Sequence, residues 1–248
     1  MTLHTWDTTF LRGDESQAGN RALIILNQPF SVALLENLWR STSWHCCADG
    51  GANRLSDVLG DRRKELLPEL IKGDLDSLRP DVKGYYEQLG VPVVYDDDQD
   101  STDLMKCVAA LEEKERAEGK EQHDIIILGG LAGRLDQTIH TLSYLHKLRH
   151  KRRRVFAVTD DNVGWVLDSG EHEITIDHTV LGQTCGLLPV GIDFTVLTTR
   201  GLRWNLSDGA QVVFRRSRVD VQSFRSCAPD RVCEDYKADL VDRGAALV

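Results

Sequence analysis

Continuous apolar runs alternate with segments of helical periodicity up to about residue 153 of the chain. Short apolar runs of this kind are typical of strands that are covered on both faces of a parallel sheet. Strands are predicted at 22–26, 44–48, 66–71, 91–95 and 124–128. Helices are predicted at 31–39, after Gly51, at 80–89, at 104–118 and from Leu135 onward. The alternation predicts an α/β domain built on a parallel sheet.

The pattern changes at residue 155, where short strands separated by Gly, Asp and Pro replace the alternation of strands and helices. These strands are predicted at 155–158, 163–167, 173–176, 186–190 and 194–199. Such a run is typical of an all-β domain, here a small sandwich. The predicted divisions are a loose N-terminal arm at 1–20, an α/β domain at 21–153, a β-sandwich at 154–213 and an atypical tail at 214–248.

Composition argues against some classes of protein. The chain has 248 residues and a net charge of −9, which argues against general nucleic-acid binding, where a basic surface is expected. Six cysteines show no metal-ligand spacing and indicate reduced thiols in a cytoplasmic protein. There is no signal-peptide pattern and no apolar run of about 18 residues, so we expect no membrane partner.

The segment Gly73-Asp74-Leu75-Asp76-Ser77 follows an apolar run and contains two carboxylates at alternate positions. In an extended backbone Asp74 and Asp76 would lie on the same face. Two neighbouring carboxylates need a cation, a proton or separation, and Mg²⁺, held by few carboxylates together with phosphate oxygens, is the most economical of these. The alternative is an ordinary turn, since Gly, Asp and Ser are common in turns.

A second acidic segment, residues 96–103, follows the next predicted strand and contains five aspartates in eight positions. We call it the acidic loop. It could be a solvated loop in which Ser101 or Thr102 caps the next helix and Asp103 favours the helix dipole. The functional interpretation is that this loop is a second carboxylate cluster at the same sheet edge as Asp74 and Asp76, where ligands of open parallel sheets bind, and that the two clusters form a metal site.

Two glycine-rich turns also follow predicted strands. The first contains Asp49, Gly50, Gly51 and Asn53, and the second runs from Gly129 to Asp136 with Arg134 in it. Such turns let the backbone approach a phosphate at a helix N-terminus, although short turns also need glycine for steric reasons. Arg134 and Asp136 are expected in the first turn of the following helix, where an Arg opposes the helix dipole, which favours a role in holding phosphate.

In the β region, Trp204 stands between polar neighbours in 202–206. It could simply cover the core of the sandwich. A half-exposed indole would also provide a surface on which a flat or cationic ring can stack.

Taken together, these motifs resemble the eukaryotic-type thiamine pyrophosphokinases. The matching stretches are ALIILNQPF, ADGGANRL, IKGDLDSLRP, DQDSTDLMKC, LGGLAGRLDQ, CGLLPVG and TTRGLRWNL. They cover residues 22–206 in family order, which makes the combination specific. One departure is Arg200, where the family is expected to have no extra residue or a plain Thr.

The resemblance implies an N-terminal α/β domain, a C-terminal β-sandwich and a homodimer with sites between subunits. It also implies transfer of pyrophosphate from Mg·ATP to the thiamine hydroxyl, with release of AMP. The implied Mg²⁺ ligands are Asp74, Asp76 and Asp103. The implied contacts of ATP are Asp49, Gly50, Gly51, Asn53, Thr102, Gly130 and Arg134, with Asp136 beside Arg134. The implied contacts of thiamine are Gln99, Trp204 and Asn205, with Trp204 reaching the neighbouring subunit.

Two alternatives to this function remain at the level of sequence. One is a different Mg-nucleotide transferase, because paired aspartates also serve enzymes that use nucleotide sugars. The other is a nucleotide-binding protein that an altered C-terminal tail has inactivated.

The tail differs from the usual end of this family, which has Phe-Gly-x-Leu-Val-Ser-Thr-Ser-Asn and then Pro-Leu-Leu-Trp. Here residues 214–222 read FRRSRVDVQ. Codons can be chosen so that deleting one C after codon 214 produces Phe-Gly-Gly-Leu-Val-Ser-Thr-Ser. The same shift converts 243–248 into Glu-Ala-Pro-Leu-Leu and the start of a Trp codon. We therefore hypothesise an extra nucleotide near codon 214, and expect the tail to lack the last strands and to pack poorly.

Overall fold

The structure is a computed structural model that describes residues 3–189, 194–206, 210–213, 223–225, 236–241 and 245–247. Its residues group into two compact units. The first, which we call the α/β unit, comprises Phe10–Thr138 and Arg152–Val163. The second, the β unit, comprises Ile139–Lys151 and the described residues of Met1–Thr9 and Gly164–Val248.

Strands and helices are numbered in chain order. The strands are β1 (Leu3–Trp6), β2 (Arg21–Ile25), β3 (Trp44–Ala48), β4 (Leu70–Gly73), β5 (Val93–Tyr95), β6 (Asp124–Leu128), β7 (Val155–Val158), β8 (Val163–Leu167), β9 (Gly170–Ile174), β10 (Thr184–Leu188), β11 (Phe194–Arg200), β12 (Ala210–Val213), β13 (Ser223–Arg225), β14 (Tyr236–Val241) and β15 (Ala245–Leu247). The helices are α1 (Val32–Arg40), α2 (Gly51–Leu59), α3 (Pro80–Gln88), α4 (Asp103–Glu118) and α5 (Leu135–Leu148).

The α/β unit contains a parallel sheet in the order β7-β6-β2-β3-β4-β5. In its centre Ile24 lies opposite both Cys46 and Ile127, and all three are fully buried. Burial on both faces explains why these strands are continuous apolar runs. Because all six strands run the same way, the residues that follow β2 to β6 meet at one edge of the sheet.

Several predicted elements are confirmed without change, among them the strands at 44–48, 124–128 and 163–167. The predicted strand at 66–71 instead begins at Leu70 and continues to Gly73, because Pro68 cannot donate to a sheet ladder. The strand at 155–158 was assigned to the all-β region, and this assignment is wrong. It pairs in parallel with β6, so that Phe156 lies opposite Ile126.

The N-terminal segment is not a loose arm. Strand β1 pairs in parallel with β9, and the Trp6 indole donates to His172 Nδ1 across 3.0 Å. Within the α/β unit, Phe10 is fully buried and its ring lies 4.9 Å from that of Phe156. The partners of Trp6 and Phe10 lie far along the chain, so local periodicity in 1–20 carries no sign of them.

The β unit contains two groups of paired strands. One is a five-stranded sheet in the order β1-β9-β14-β11-β12. In the other, β10 pairs with both β13 and β15, and β15 pairs with β8. That these strands pack face to face as a sandwich stays a prediction.

Three of these strands, β13, β14 and β15, belong to the tail. The expectation that the tail lacks strands is therefore wrong for residues 223–225, 236–241 and 245–247, since β14 pairs with both β9 and β11. The segment 214–222, where the shift of reading frame is hypothesised to begin, lies outside the described residues. Among the described helices, none is both long and apolar enough to cross a membrane.

Candidate active site

Three carboxylates meet beyond the carboxyl ends of β3 and β4. Asp49, Asp74 and Asp76 each place one carboxylate oxygen within 4.8 Å of the others. We call these three residues the carboxylate cluster. Asp49 is buried, Asp74 is half-buried and Asp76 is exposed, so the cluster opens from the protein interior towards solvent.

The backbone of the cluster is bent, and not extended as the sequence predicted. Leu75 has a φ of +59° and Asp49 a φ of +42°, values that non-glycine residues seldom adopt. The amide of Asp76 donates to Asp74 Oδ1 across 3.2 Å, which closes a tight turn over Leu75. Asp74 and Asp76 are therefore close because of a turn. Backbone strain of this kind is often found at functional sites.

Asp103 lies beside the cluster, at the start of α4. Its Oδ1 accepts a hydrogen bond from the Asp74 amide across 3.2 Å. A Cβ on Gly73 would come within 2.8 Å of both Asp103 Oδ1 and the Asp49 Cβ, so only glycine fits between them. Burial raises the pKa of the Asp103 carboxyl, and the charge of Asp74 raises it further, while Lys106 acts in the opposite direction.

Asp49 has one carboxylate oxygen engaged and one without a partner. Oδ2 accepts from the Ser77 amide across 3.1 Å. Oδ1 is buried, and no hydrogen-bond partner for it occurs in the described part of the chain. Burial raises the pKa of this carboxyl, and the charge of Asp103 adds to the rise. A buried, unpartnered carboxylate oxygen in a residue that lies beside two other carboxylates suits a hard divalent cation.

The Asn53 side chain stabilises the turn that contains Asp74 and Asp76. Its amide nitrogen donates to the Ser77 carbonyl across 2.7 Å, and its amide oxygen accepts from the Arg79 amide across 3.1 Å. Both ends of the side chain are thus used within the protein. The contact with ATP that the sequence predicts for Asn53 stays a prediction, and in the structure its side chain holds the segment that follows the carboxylate turn.

The glycines after β3 are required by close packing. A Cβ on Gly51 would lie 2.2 Å from the Ile25 carbonyl oxygen, and one on Gly50 would lie 2.4 Å from Asn27 Nδ2. This supports the steric explanation of the Gly pair. It does not conflict with an approach of phosphate, because the first turn of α2 still begins at this edge of the sheet.

Gln28 was missed by the sequence analysis. Its Oε1 accepts from the Gly130 amide across 2.8 Å, and so links the end of β2 to the turn after β6. Gly129 and Gly133 in that turn have φ values of +111° and +81°, which favour glycine. The position of Gln28 after a predicted strand at the same sheet edge was the signal that could have identified it.

Arg134 and Asp136 form a two-pronged ion pair at the start of α5. Nε lies 3.1 Å from Oδ1 and Nη2 lies 2.6 Å from Oδ2. The side chains are 75% and 61% exposed, so this pair contributes little to stability. An exposed guanidinium with one carboxylate partner remains accessible to a phosphate.

The acidic loop carries two further predicted residues. Thr102 occupies the N-cap position of α4 but makes no side-chain capping bond, and its Oγ1 is buried without a partner among the described residues. Gln99 is exposed, and its amide nitrogen donates to the Asp97 carbonyl across 3.3 Å. Both side chains therefore have polar atoms that a ligand could engage.

The remaining predicted residues, Trp204 and Asn205, belong to the β unit. Trp204 is 60% exposed, and the Arg203 guanidinium lies 5.4 Å from the centre of its ring. This contact shows that the indole face accepts a cation. Asn205 Oδ1 accepts from the Leu202 amide across 3.0 Å, so this side chain closes the turn that presents Trp204.

Comparisons with known proteins agree over both units. A sequence model described as the thiamin pyrophosphokinase catalytic domain matches residues 35–157, and one described as the vitamin B1 binding domain of the same protein matches residues 171–217. Thiamine pyrophosphokinase 3 of Oryza sativa subsp. japonica is 37% identical over 198 residues, which cover 75% of this chain and 73% of the relative. Thiamine pyrophosphokinase 1 of Arabidopsis thaliana is 36% identical over 79% of this chain and 76% of its own length. The crystal structure of yeast thiamin pyrophosphokinase superposes with a TM-score of 0.83 at 26% identity, covering 98% of this chain and 90% of that one.

Proposed function

The chain belongs to the thiamin pyrophosphokinase family, and from this premise we propose which of its residues bind the metal, the nucleotide and thiamine. The enzyme transfers pyrophosphate from ATP to the hydroxyl of thiamine and releases AMP. The hydroxyl oxygen forms a bond to the β-phosphorus, the bond from that phosphorus to the AMP oxygen breaks, and the hydroxyl proton is released. Alignment of the two substrates and neutralisation of phosphoryl charge dominate catalysis in such reactions.

The carboxylate cluster and Asp103 are proposed to hold Mg²⁺. The observation that carries this proposal is the convergence of oxygens from Asp49, Asp74 and Asp76 within 4.8 Å, together with the buried, unpartnered Oδ1 of Asp49. Asp49 is thus added to the metal ligands predicted from the sequence, where it was assigned to ATP. When bound, Mg²⁺ neutralises and orients the phosphate oxygens of the nucleotide.

The nucleotide is proposed to lie along the same edge of the parallel sheet. The amides of Gly50 and Gly51, at the start of α2, are the backbone groups offered to phosphate. The Gly130 amide would have to exchange its hydrogen bond with Gln28 for one with phosphate. Arg134 would exchange part of its pairing with Asp136 for a phosphate oxygen, which a forked guanidinium can bind through two nitrogens. Thr102 would donate its buried hydroxyl. Asn53 would support this site through the turn at Ser77.

Thiamine is proposed to stack on Trp204 and to contact Gln99. Its cationic thiazolium ring would replace the Arg203 guanidinium on the indole face. Asn205 would act by holding the turn that presents Trp204. In domain terms, the α/β unit is the catalytic part and the β unit is the thiamine-binding part.

A homodimer with sites between subunits is part of this proposal, and so is a cytoplasmic location. Mixing an Asp74→Asn chain with a Trp204→Ala chain tests the shared site, because a mixed dimer would contain one site with both native residues. After the residual activity of the Trp204→Ala dimers is subtracted, subunit exchange should recover about a quarter of the native activity, the share expected when half of the dimers are mixed. No recovery in proven mixed dimers would place both residues in a site within one subunit. Fractionation of cells tests the location.

The direct test of the activity is to incubate the purified chain with ATP, Mg²⁺ and thiamine and to follow AMP and thiamine diphosphate by chromatography. Equal amounts of the two products are expected. The comparisons do not favour a nucleotide-sugar enzyme, which would release no AMP with thiamine as acceptor. Thermal stabilisation by ATP without turnover would instead identify a nucleotide-binding protein with an inactive tail.

A further inference from the structure

Lys106 is a charged residue that the proposed site does not use, and it is almost completely buried. It lies in the first turn of α4, and its side chain is 2% exposed. Burial of an ammonium group is unfavourable unless the group is paired and hydrogen-bonded. The contacts of its Nζ atom therefore indicate what the residue does.

The Lys106 ammonium bridges the two ends of the acidic loop. At the first residue of the loop, Nζ donates to the Asp96 carbonyl across 2.8 Å. At the last residue, Nζ lies 3.6 Å from Asp103 Oδ1. One cation thus fixes both the point where the loop leaves β5 and the point where it enters α4.

The same two ends are tied to β4. The Asp96 amide donates to the Gly73 carbonyl across 2.9 Å, and the Lys72 ammonium lies 3.0 Å from Asp96 Oδ2. Asp103 Oδ1, the carboxylate oxygen that pairs with the Lys106 ammonium, also accepts from the Asp74 amide. Asp103 Oδ1 therefore links the Lys106 ammonium to the backbone of Asp74, a residue of the carboxylate cluster.

We propose that Lys106 is a positioning residue that closes the acidic loop and thereby sets Asp103 against the end of β4. This inference rests on the proposed metal site. Direct binding of phosphate by Lys106 is the obvious alternative, but a side chain that is 2% exposed and directed at Asp96 and Asp103 does not present its ammonium to a substrate. Loss of the ammonium leaves the Asp96 carbonyl without this donor and Asp103 without its adjacent positive charge.

The test compares Lys106→Met with Lys114→Met. Both substitutions remove one positive charge from α4, but Lys114 is near the other end of the helix and pairs with Glu118. Mn²⁺ serves as the probe, because it binds to oxygen ligands as Mg²⁺ does and its free form is measured by electron paramagnetic resonance. Hydrogen exchange is followed at the amides of Asp98 and Asp100, which donate to Asp96 and Asp98 inside the loop.

We expect Lys106→Met to weaken Mn²⁺ binding about tenfold, as is typical when a group that orients a metal ligand is removed. Exchange at the two loop amides should become faster, whereas Lys114→Met should change neither quantity. A folded Lys106→Met chain with native Mn²⁺ affinity overturns the proposal, whether or not exchange changes. If that chain does not fold, Lys106→Gln is used, and native affinity in it has the same meaning. Absence of Mn²⁺ binding by the unaltered chain contradicts the metal site itself, and the exchange rates then decide the role of Lys106 in the loop.

Discussion

The amide nitrogen of Asp74 donates a hydrogen bond to Asp103 Oδ1, so the end of β4 and the first turn of α4 are joined at the carboxylate cluster. The two residues are 29 positions apart in the chain and come from separate sequence motifs. A substitution that displaces either residue is therefore expected to displace the other.

Replacement of Asp74 or Asp76 by Asn should lower turnover by orders of magnitude and leave the fold intact. The reason is that each substitution removes a negative charge from the proposed Mg²⁺ site while preserving side-chain volume. AMP formation measured against Mg²⁺ concentration gives the effect. Asp81→Asn on α3 is the control, since Asp81 is 74% exposed and its carboxylate lies 3.7 Å from Arg79 Nε. Near-normal turnover in either variant would remove that residue from the metal shell.

Asp49→Asn should lower the activity without lowering the stability of the metal-free chain. In the absence of metal, burial of the charged Asp49 carboxylate is unfavourable, so the neutral amide should leave the melting temperature unchanged or raise it. Activity and Mn²⁺ affinity should nevertheless fall, because Oδ1 would no longer be anionic. A variant that loses stability but keeps its Mn²⁺ affinity would show that Asp49 has only a structural role.

Mg²⁺ affinity should decrease as the pH falls. Burial raises the pKa of both Asp49 and Asp103, and protons therefore compete with the cation at a higher pH than for ordinary aspartates. The metal-free chain should behave in the opposite way. A raised pKa means that the folded state binds more protons than the unfolded state, so this contribution to stability is complete below the usual aspartate pKa of about 3.9 and is lost as the pH rises through the raised values.

Titration of Mn²⁺ at several pH values, beside thermal melts with and without metal, measures both trends. Asp96 provides an internal contrast, because its ion pair with Lys72 lowers its pKa. An affinity that does not fall as the pH is lowered to the usual aspartate pKa of about 3.9 would mean that neither Asp49 nor Asp103 binds the cation.

Trp204→Ala should weaken thiamine binding much more than ATP binding. Stacking of a cationic ring on an indole contributes about 0.5 to 2 kcal/mol, so thiamine affinity should fall several-fold. Calorimetric titration of each ligand measures the two losses. Trp204→Phe, which keeps an aromatic face, should recover part of the affinity. Equal losses for both ligands would indicate that Trp204 acts through the fold of the β unit.

The reading frame of the tail can be tested on the coding sequence. We predict that removal of one base near codon 214 restores Phe-Gly-Gly-Leu-Val-Ser-Thr-Ser and, further on, Pro-Leu-Leu-Trp. The match of the vitamin B1 binding domain ends at residue 217, close to that codon. A chain expressed from the corrected frame should bind thiamine more tightly than the present one. If no single-base change across codons 207 to 223 produces these motifs, the tail is a genuine divergence.

Most of the α/β sheet could be predicted because its strands are short apolar runs. Such runs and the turns beside them are recognised from residues that are neighbours in the sequence. The direction of Asp49 could not be predicted, since it depends on a left-handed backbone and on Ser77, 28 residues away. For the same reason the roles of Asn53, Gln28 and Lys106 are visible only in the fold. Each of them binds a backbone atom of another segment, and a sequence pattern does not record which segment is its neighbour.

The strand order β1-β9-β14-β11-β12 has a consequence for synthesis on the ribosome. Strand β14 lies between two strands that are made earlier. Strand β1 can pair only after β9 has been made, some 166 residues later. The α/β unit, whose sheet is complete once β7 has emerged, can fold while translation continues. The five-stranded sheet can close only after residues 236–241 have been made, so a product that stalls before them would expose the unpaired edges of β9 and β11 to aggregation.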